Sequence, residues 1–179
     1  MMGIFSGLES LGLGNMKNTS VYVEDEQKKQ ERELVARRAE KHQITEEDCV
    51  FEKKIRCPVC DEEFKTKMVK TGRAKLIGQD TDLRPKYQGV DSLKYDAILC
   101  PYCGYAALNR FFNYMTSAQA KWIQEQISSS FRGVEQSDRP IYTYDEAIMR
   151  HKLALLSTVV KKSKASERAY VCLKLAWLS

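Results

Sequence analysis

The chain has 179 residues, 43% of them hydrophobic and 30% charged, enough for a packed core beneath a well-solvated surface in one domain or two small ones. The net charge of +5 divides as −3 over residues 1–48, +3 over 49–104 and +5 over 105–179. This mild excess falls short of the dense basic stripe of a dedicated nucleic-acid binder. No segment approaches the roughly 20 apolar residues that cross a bilayer. The N-terminal run MMGIFSGLESLGLG lacks a basic leader and is broken by Glu9, so it does not read as a secretory signal. Six cysteines without a signal point to a reducing compartment, where thiols serve metals more often than disulfides.

Residues 1–21 are rich in Gly, Ser and Asn and read as a flexible arm, with Ile4, Phe5, Leu8, Leu11 and Leu13 able to dock as one short helix. Residues 22–48 are dominated by Glu, Lys, Gln and Arg and read as a solvated helix or linker. From Cys49 the composition changes. Strand-like pieces follow at Val50–Arg56, Glu63–Val69, Ala74–Ile77 and Leu93–Leu99, punctuated by glycine turns. Lys65 and Lys67 alternate with Phe64, Thr66 and Met68, as on a half-exposed strand.

From Tyr105 the spacing predicts helix. Tyr105, Leu108, Phe111, Phe112 and Met115 share one side. Thr116 with Gln119 and Thr143 with Glu146 form capping boxes that open two more helices. The first carries Ala120, Ile123, Ile127 and Phe131. The second, about residues 144–161, has one apolar row of Ile148, Leu155 and Val159, and another of Met149, Leu153, Leu156 and Val160. A helix apolar on two sides sits between neighbours, as in a stacked helical array. A last helix from Ser163 or Ser166 places Ala169, Cys172, Leu173, Ala176 and Trp177 on its apolar face, and is still apolar at Ser179. That face either docks back, meets a second chain by self-association, or continues into helices beyond this sequence.

Two Cys-Pro-x-Cys pairs stand at Cys57–Cys60 and Cys100–Cys103. Two residues between thiolates let one tight turn present both sulfurs to a tetrahedral ion. The proline presets the turn; Gly104 after the second pair, and Asp61 after the first, suit the positive φ that frees backbone N–H groups to face sulfur. The pairs are separated by 39 residues, room for an inserted hairpin. The order turn, hairpin, turn, helix fits a zinc ribbon or a treble-clef-like module. Four thiolates fill zinc's coordination and leave no open position for water, so the expected cofactor is one structural Zn2+ per chain. Disulfides, a redox pair and an iron–sulfur cluster are the competing uses of four cysteines. Cys49 and Cys172 fall outside the spacing and read as core residues.

Other candidates carry less. Asp80 and Asp82 lie with Arg84 and Lys86 in QDTDLRPKY, which reads as a turn held by Asx bonds and ion pairs rather than as an enzyme site. His151 reads as a hydrogen-bonded core histidine, and His42 as exposed. Neither stands beside a nucleophile motif, so no enzyme activity is expected. Lys65, Lys67, Lys70, Arg73 and Lys75 gather on one hairpin and offer the alternative of a nucleic-acid or ribonucleoprotein partner.

The stretch from CPVCDEEFKTKMVKTGRAKLIGQDTDLRPKYQGVDSLKYDAILCPYCGYAALNRFFNYMTSAQAKWI through YTYDEAIMRHKLALL and SERAYVCLKLAWL resembles the bacterial family called domain of unknown function twenty-two twenty-five. The resemblance implies a zinc-ribbon-like part followed by tetratricopeptide-like helices, with Cys57, Cys60, Cys100 and Cys103 as ligands. It implies no activity. The expected protein is therefore α+β: an arm and linker over 1–48, a zinc-pinned β module over 49–104 and a helical region over 105–179. Its expected role is non-catalytic interaction with a protein partner, through the Met149, Leu153 and Leu156 face or the Trp177 face.

Overall fold

Each Cys-Pro-x-Cys pair is the tip of a β-hairpin. The structure, a computed structural model, describes residues 44–136 and 138–179; the arm over 1–21, the segment 22–43 and His42 lie outside them. A short helix α1 (Glu46–Cys49), opened by a Thr45–Asp48 capping box, leads into β1 (Val50–Arg56). β1 pairs antiparallel with β2 (Glu63–Val69) in unbroken register, Val50 opposite Val69 and Arg56 opposite Glu63. β3 (Leu76–Gln79) and β4 (Pro85–Tyr87) form a second hairpin, and β5 (Ala97–Leu99) with β6 (Ala106–Leu108) a third. The helices follow: α2 (Ser117–Ile123), α3 (Tyr144–Val160) and α4 (Ala165–Leu178). The chain is α+β, small antiparallel hairpins first and helices after.

Both predicted capping boxes are present, at Thr116–Gln119 on α2 and Thr143–Glu146 on α3. α3 is the central helix and packs on β5, β6, α2 and α4. Its innermost row is Ala147, His151, Ala154 and Ser157, each 0% exposed. Small side chains let a helix lie close against a sheet. Here Ala154 meets Ala97, Leu99, Ala106 and Leu108, the Ser157 hydroxyl accepts the Ala106 N–H at 3.2 Å, and Ala147 packs with Leu93 and Leu178. The two apolar rows flank this innermost row; Leu156 and Val159 remain about half exposed, at 47% and 54%.

The structure departs from the expectation at several points. The expected helix from Tyr105 is instead β6 and a 3-10 turn over Asn109–Phe111. The Cys100 N–H donates to the Tyr105 carbonyl at 2.8 Å, which starts a ladder that Ala106–Leu108 continue against β5. Tertiary pairing overrides a helical spacing that the same apolar residues also satisfy. A strand, not a helix, therefore follows the second pair. Leu93–Leu99 is strand only from Ala97, because Ser92–Tyr95 coil into a 3-10 turn under the Asp91 side chain. The helix after Thr116 widens to a π-turn over Gln124–Ser128. Lys67 is 6% exposed rather than on an open strand face, its ammonium 4.8 Å from the centre of the Tyr142 ring.

α4 faces the core with the side opposite to the expected one. Val171 and Leu178 are buried, while Ala169, Cys172, Leu173 and Ala176 are exposed, so Cys172 is not a core residue. Cys49 is, at 0% exposure. The end of α4 docks back: Leu178 packs with Leu93 and Ala147, with Trp177 and Ile148 beside them. Leu178→Ala should cost about 2–3 kcal/mol by the usual penalty for a buried leucine. Urea unfolding of the pure protein checks it, and a loss below about 0.5 kcal/mol would mean that the helix end is not docked in solution.

Candidate metal centre

The two turns are built alike. In the first, the Cys57 N–H donates to the Glu62 carbonyl and the Asp61 N–H to the Cys57 carbonyl, each at 3.0 Å. In the second, the Cys100 N–H donates to Tyr105 at 2.8 Å and the Gly104 N–H to Cys100 at 3.1 Å. The residue after each pair takes positive φ, 66° at Asp61 and 76° at Gly104, as both residue types suggest. The Val59 N–H points at the Cys57 sulfur, 3.4 Å away.

The turns bring all four sulfurs within 4.8 Å of one another. Cys57 Sγ lies 3.6 Å from Cys103 Sγ, and Cys60 Sγ 3.6 Å from Cys100 Sγ, so the closest approaches cross from one turn to the other. A disulfide needs about 2.0 Å. A tetrahedral ion with sulfurs at about 2.3 Å sets its ligand–ligand edges near 3.8 Å. The spacing fits an ion at the centre.

Electrostatics points the same way. Without a cation the sulfurs share their protons unequally. Hydrogen bonds from the Cys103 and Cys57 thiols hold Cys100 down to about 2, and hydrogen bonding to Cys100 pushes Cys57 up to about 12 and raises Cys103 too. Deprotonating all four at these distances would require a cation among them. The nearby basic residues do not supply it. Arg56 faces Asp61 at 3.8 Å, and the Arg110 guanidinium lies over the rings of Phe111 and Tyr170.

The cluster is part of the core. Cys57 and Cys100 are 0% exposed and pack with Val59, Phe64, Ile98, Tyr105, Phe112 and Ile123. Two residues that sequence reasoning passed over hold the turns in place. The Gln124 side-chain amide donates to the Val59 carbonyl at 2.7 Å, in the first turn. The Ser128 hydroxyl donates to the Cys103 carbonyl at 2.9 Å, in the second. Both belong to the π-turn, whose wider spacing is of the kind found at functional sites. Their only signal in the sequence is polarity within an otherwise apolar helical stretch. The Phe131 ring then closes over Gly104, where a Cβ would lie 2.7 Å from it.

The remaining candidates have other partners. Asp80 receives Lys86 Nζ at 2.7 Å, and the Arg84 N–H donates to Asp82 at 3.1 Å; the QDTDLRPKY segment is the β3–β4 hairpin tip, joined by Asx bonding and ion pairs. His151 is fully buried with Nδ1 2.8 Å from the Ala147 carbonyl, and burial lowers its pKa. On the basic hairpin, Lys65 pairs with Glu52 at 3.2 Å and Lys70 donates to the Asp48 carbonyl at 2.9 Å. No helix among the described residues is long and apolar enough to cross a membrane.

Fold and site thus define an α+β protein whose four clustered cysteines can hold a metal ion. The family described as an uncharacterized protein conserved in bacteria (DUF2225) matches residues 50–179, and the chain belongs to it. No curated protein and no solved structure matches the chain.

The built-alike turns differ in what covers them, which makes one substitution pair diagnostic. Gly104→Ala puts a methyl into Phe131 and a side chain at φ 76°, and should destabilise the protein by about 2–3 kcal/mol. Asp61→Gly, with φ 66° on an open turn, should be neutral or slightly stabilising. Thermal unfolding of the two variants side by side checks this; equal effects would mean that the Phe131 cover does not form.

Proposed function

We propose that the chain binds one structural Zn2+ through Cys57, Cys60, Cys100 and Cys103, and that the body so pinned is a non-catalytic adaptor for a protein partner in the bacterial cytoplasm. The observation that carries the adaptor reading is an apolar groove of about 600 Å3 beside α3, walled by Phe131, Val134, Ile148, Met149, Leu153 and Leu156. Met149, Leu153 and Leu156 stand at i, i+4 and i+7, the spacing with which one helix face receives another. Methionine adapts such a face to imperfect partners. Asp145 and Lys152 border the groove and would orient a partner by charge. α3 and α4 pack as a pair, as tetratricopeptide-like repeats do, and the exposed Ala169, Cys172, Leu173 and Ala176 strip offers a further face for a neighbouring helix or a second copy.

Four thiolates suit Zn2+, and a closed set of four suits structure rather than catalysis. The energy scale is decisive. Structural zinc supplies on the order of 10–16 kcal/mol, as much as the whole stability of a small domain. Native mass spectrometry of the protein purified without added metal should show one zinc per chain. No metal on intact thiols would end the zinc reading, and one zinc per two chains would relocate the site to a dimer interface. Cys57→Ser or Cys100→Ser should abolish cooperative unfolding.

Leu156 is 47% exposed, so Leu156→Asp should leave zinc content and melting temperature unchanged while abolishing capture of a partner from bacterial lysate. Capture should survive 0.5 M salt. Capture that falls steeply with salt, and that Leu156→Asp does not touch, would favour a nucleic-acid partner on the Lys65–Lys75 hairpin instead.

A further inference from the structure

The β1–β2 hairpin has two outer edges, and only one of them is covered. It is a two-stranded sheet in unbroken register, so each strand turns one side to its partner and the other away. Along β2 the groups that point away are met by the body. The Lys65 carbonyl accepts the Gln136 side-chain amide at 3.1 Å, and the Lys67 N–H donates to the Tyr142 hydroxyl at 3.1 Å. Lys65 stands opposite Lys54, and Lys67 opposite Glu52. Residues directly opposite in an antiparallel ladder either both face inward or both face outward. The N–H and C=O groups of Glu52 and Lys54 therefore point away from β2 on the far side. None of them has a hydrogen-bond partner among the described residues.

The side chains along this open edge define what fits it. Phe51, Lys53 and Ile55 stand on one face of β1, and Glu52, Lys54 and Arg56 on the other. Phe51 to Lys54 are exposed in succession, the Phe51 ring at 40%. Glu52 already pairs with Lys65 at 3.2 Å, and Arg56 faces Asp61 at 3.8 Å. Lys53 and Lys54 have no acidic partner among the described residues. Lys54 also lies directly opposite Lys65, a like-charged juxtaposition that ordinarily weakens a ladder.

Lysine on an edge strand ordinarily keeps other strands away. That protection is selective by charge. A second copy would bring its own Lys53 and Lys54 to the edge and be repelled, whereas an acidic strand would be attracted. A hairpin of two strands is marginal by itself, and a third strand makes it a sheet.

We propose that β1 pairs along this edge with an extended acidic segment of a partner protein, which adds a third strand in the more stable antiparallel sense. The backbone of the segment bonds to Glu52 and Lys54. Its acids stand beside Lys53 and Lys54, and its apolar residues beside Phe51 and Ile55. Running antiparallel to β1, the segment therefore reads apolar, acidic, acidic, any residue, apolar. The edge is distinct from the groove beside α3, and pairing there does not require that the groove bind anything.

The test is an amide-resolved NMR titration of the full chain with the end-blocked peptide TVEDTVT and its charge-reversed control TVKKTVT. TVEDTVT should move the amides from Phe51 to Ile55, saturate, and slow solvent exchange of the Glu52 and Lys54 amides about tenfold. TVKKTVT should move none of them. Methylating the backbone nitrogen of the peptide's glutamate, which stands opposite Lys54, should abolish binding. Methylating that of its aspartate, which points away from β1, should leave binding intact. The double change Lys53→Glu with Lys54→Glu falls on exposed positions and should not alter the melting temperature. It should weaken TVEDTVT about tenfold or more and create binding of TVKKTVT, a rescue that loss of the fold cannot imitate. Unslowed exchange at Glu52 and Lys54, equal loss from the two methylations, or binding indifferent to the charge exchange would each overturn the proposal. A single-stranded oligonucleotide that moves the same amides and displaces the peptide at lower concentration would overturn it in favour of nucleic acid.

Discussion

The gathering of four sulfurs at one point is the constraint on which this structure rests. Two turns, 39 residues apart in sequence, deliver their cysteines within 4.8 Å of one another inside the core. Like charges at that distance in a poorly polarisable surrounding are tolerable only around a cation. The hairpins, the π-turn amide and hydroxyl, and the Phe131 ring together enclose the four-sulfur cluster. The first hairpin brings no second apolar layer of its own: Phe51, Glu52, Lys53 and Lys54 of β1 are exposed. It is attached to the body through the cysteine turn, through Phe64, which meets Phe112 edge-on at 6.2 Å between centroids, and through Lys67, whose backbone N–H donates to the Tyr142 hydroxyl at 3.1 Å.

What could be read in the sequence was what local chemistry decides. Cys-Pro-x-Cys dictates a turn whatever surrounds it, and the positive φ at Asp61 and Gly104 follows from which residues tolerate it. Thr143 with Glu146 dictates a helix start in the same way. The failures share a different cause. Tyr105–Phe112 carry apolar residues at helical spacing, yet the strand pairing that begins at the second cysteine turn claims Ala106–Leu108. α4 shows two nearly equal apolar sides, and only its neighbours decide that Val171 and Leu178 face inward and Cys172 outward. Gln124 and Ser128 were invisible as turn-holding residues because their acceptors are 65 and 25 residues away.

α3 shows how such ambiguity resolves physically. Two apolar rows suggest burial on both sides, but the closest packing belongs to the row of small side chains between them. Ala154 and Ser157 cover little area, yet they permit near contact between helix and sheet. Contact at that distance leaves the larger residues at the margins, where Leu156 and Val159 stay in water. A face that looks like core in a helical projection thereby becomes surface. That is why the groove arises from residues that composition alone would bury.

Phe131 belongs to two structures at once. Its ring covers Gly104 behind the second cysteine turn, and it forms one wall of the groove beside α3. The groove therefore has no complete wall until that turn is closed. A change that loosens the turn would therefore reach the groove through one ring, although the two features are built from different elements.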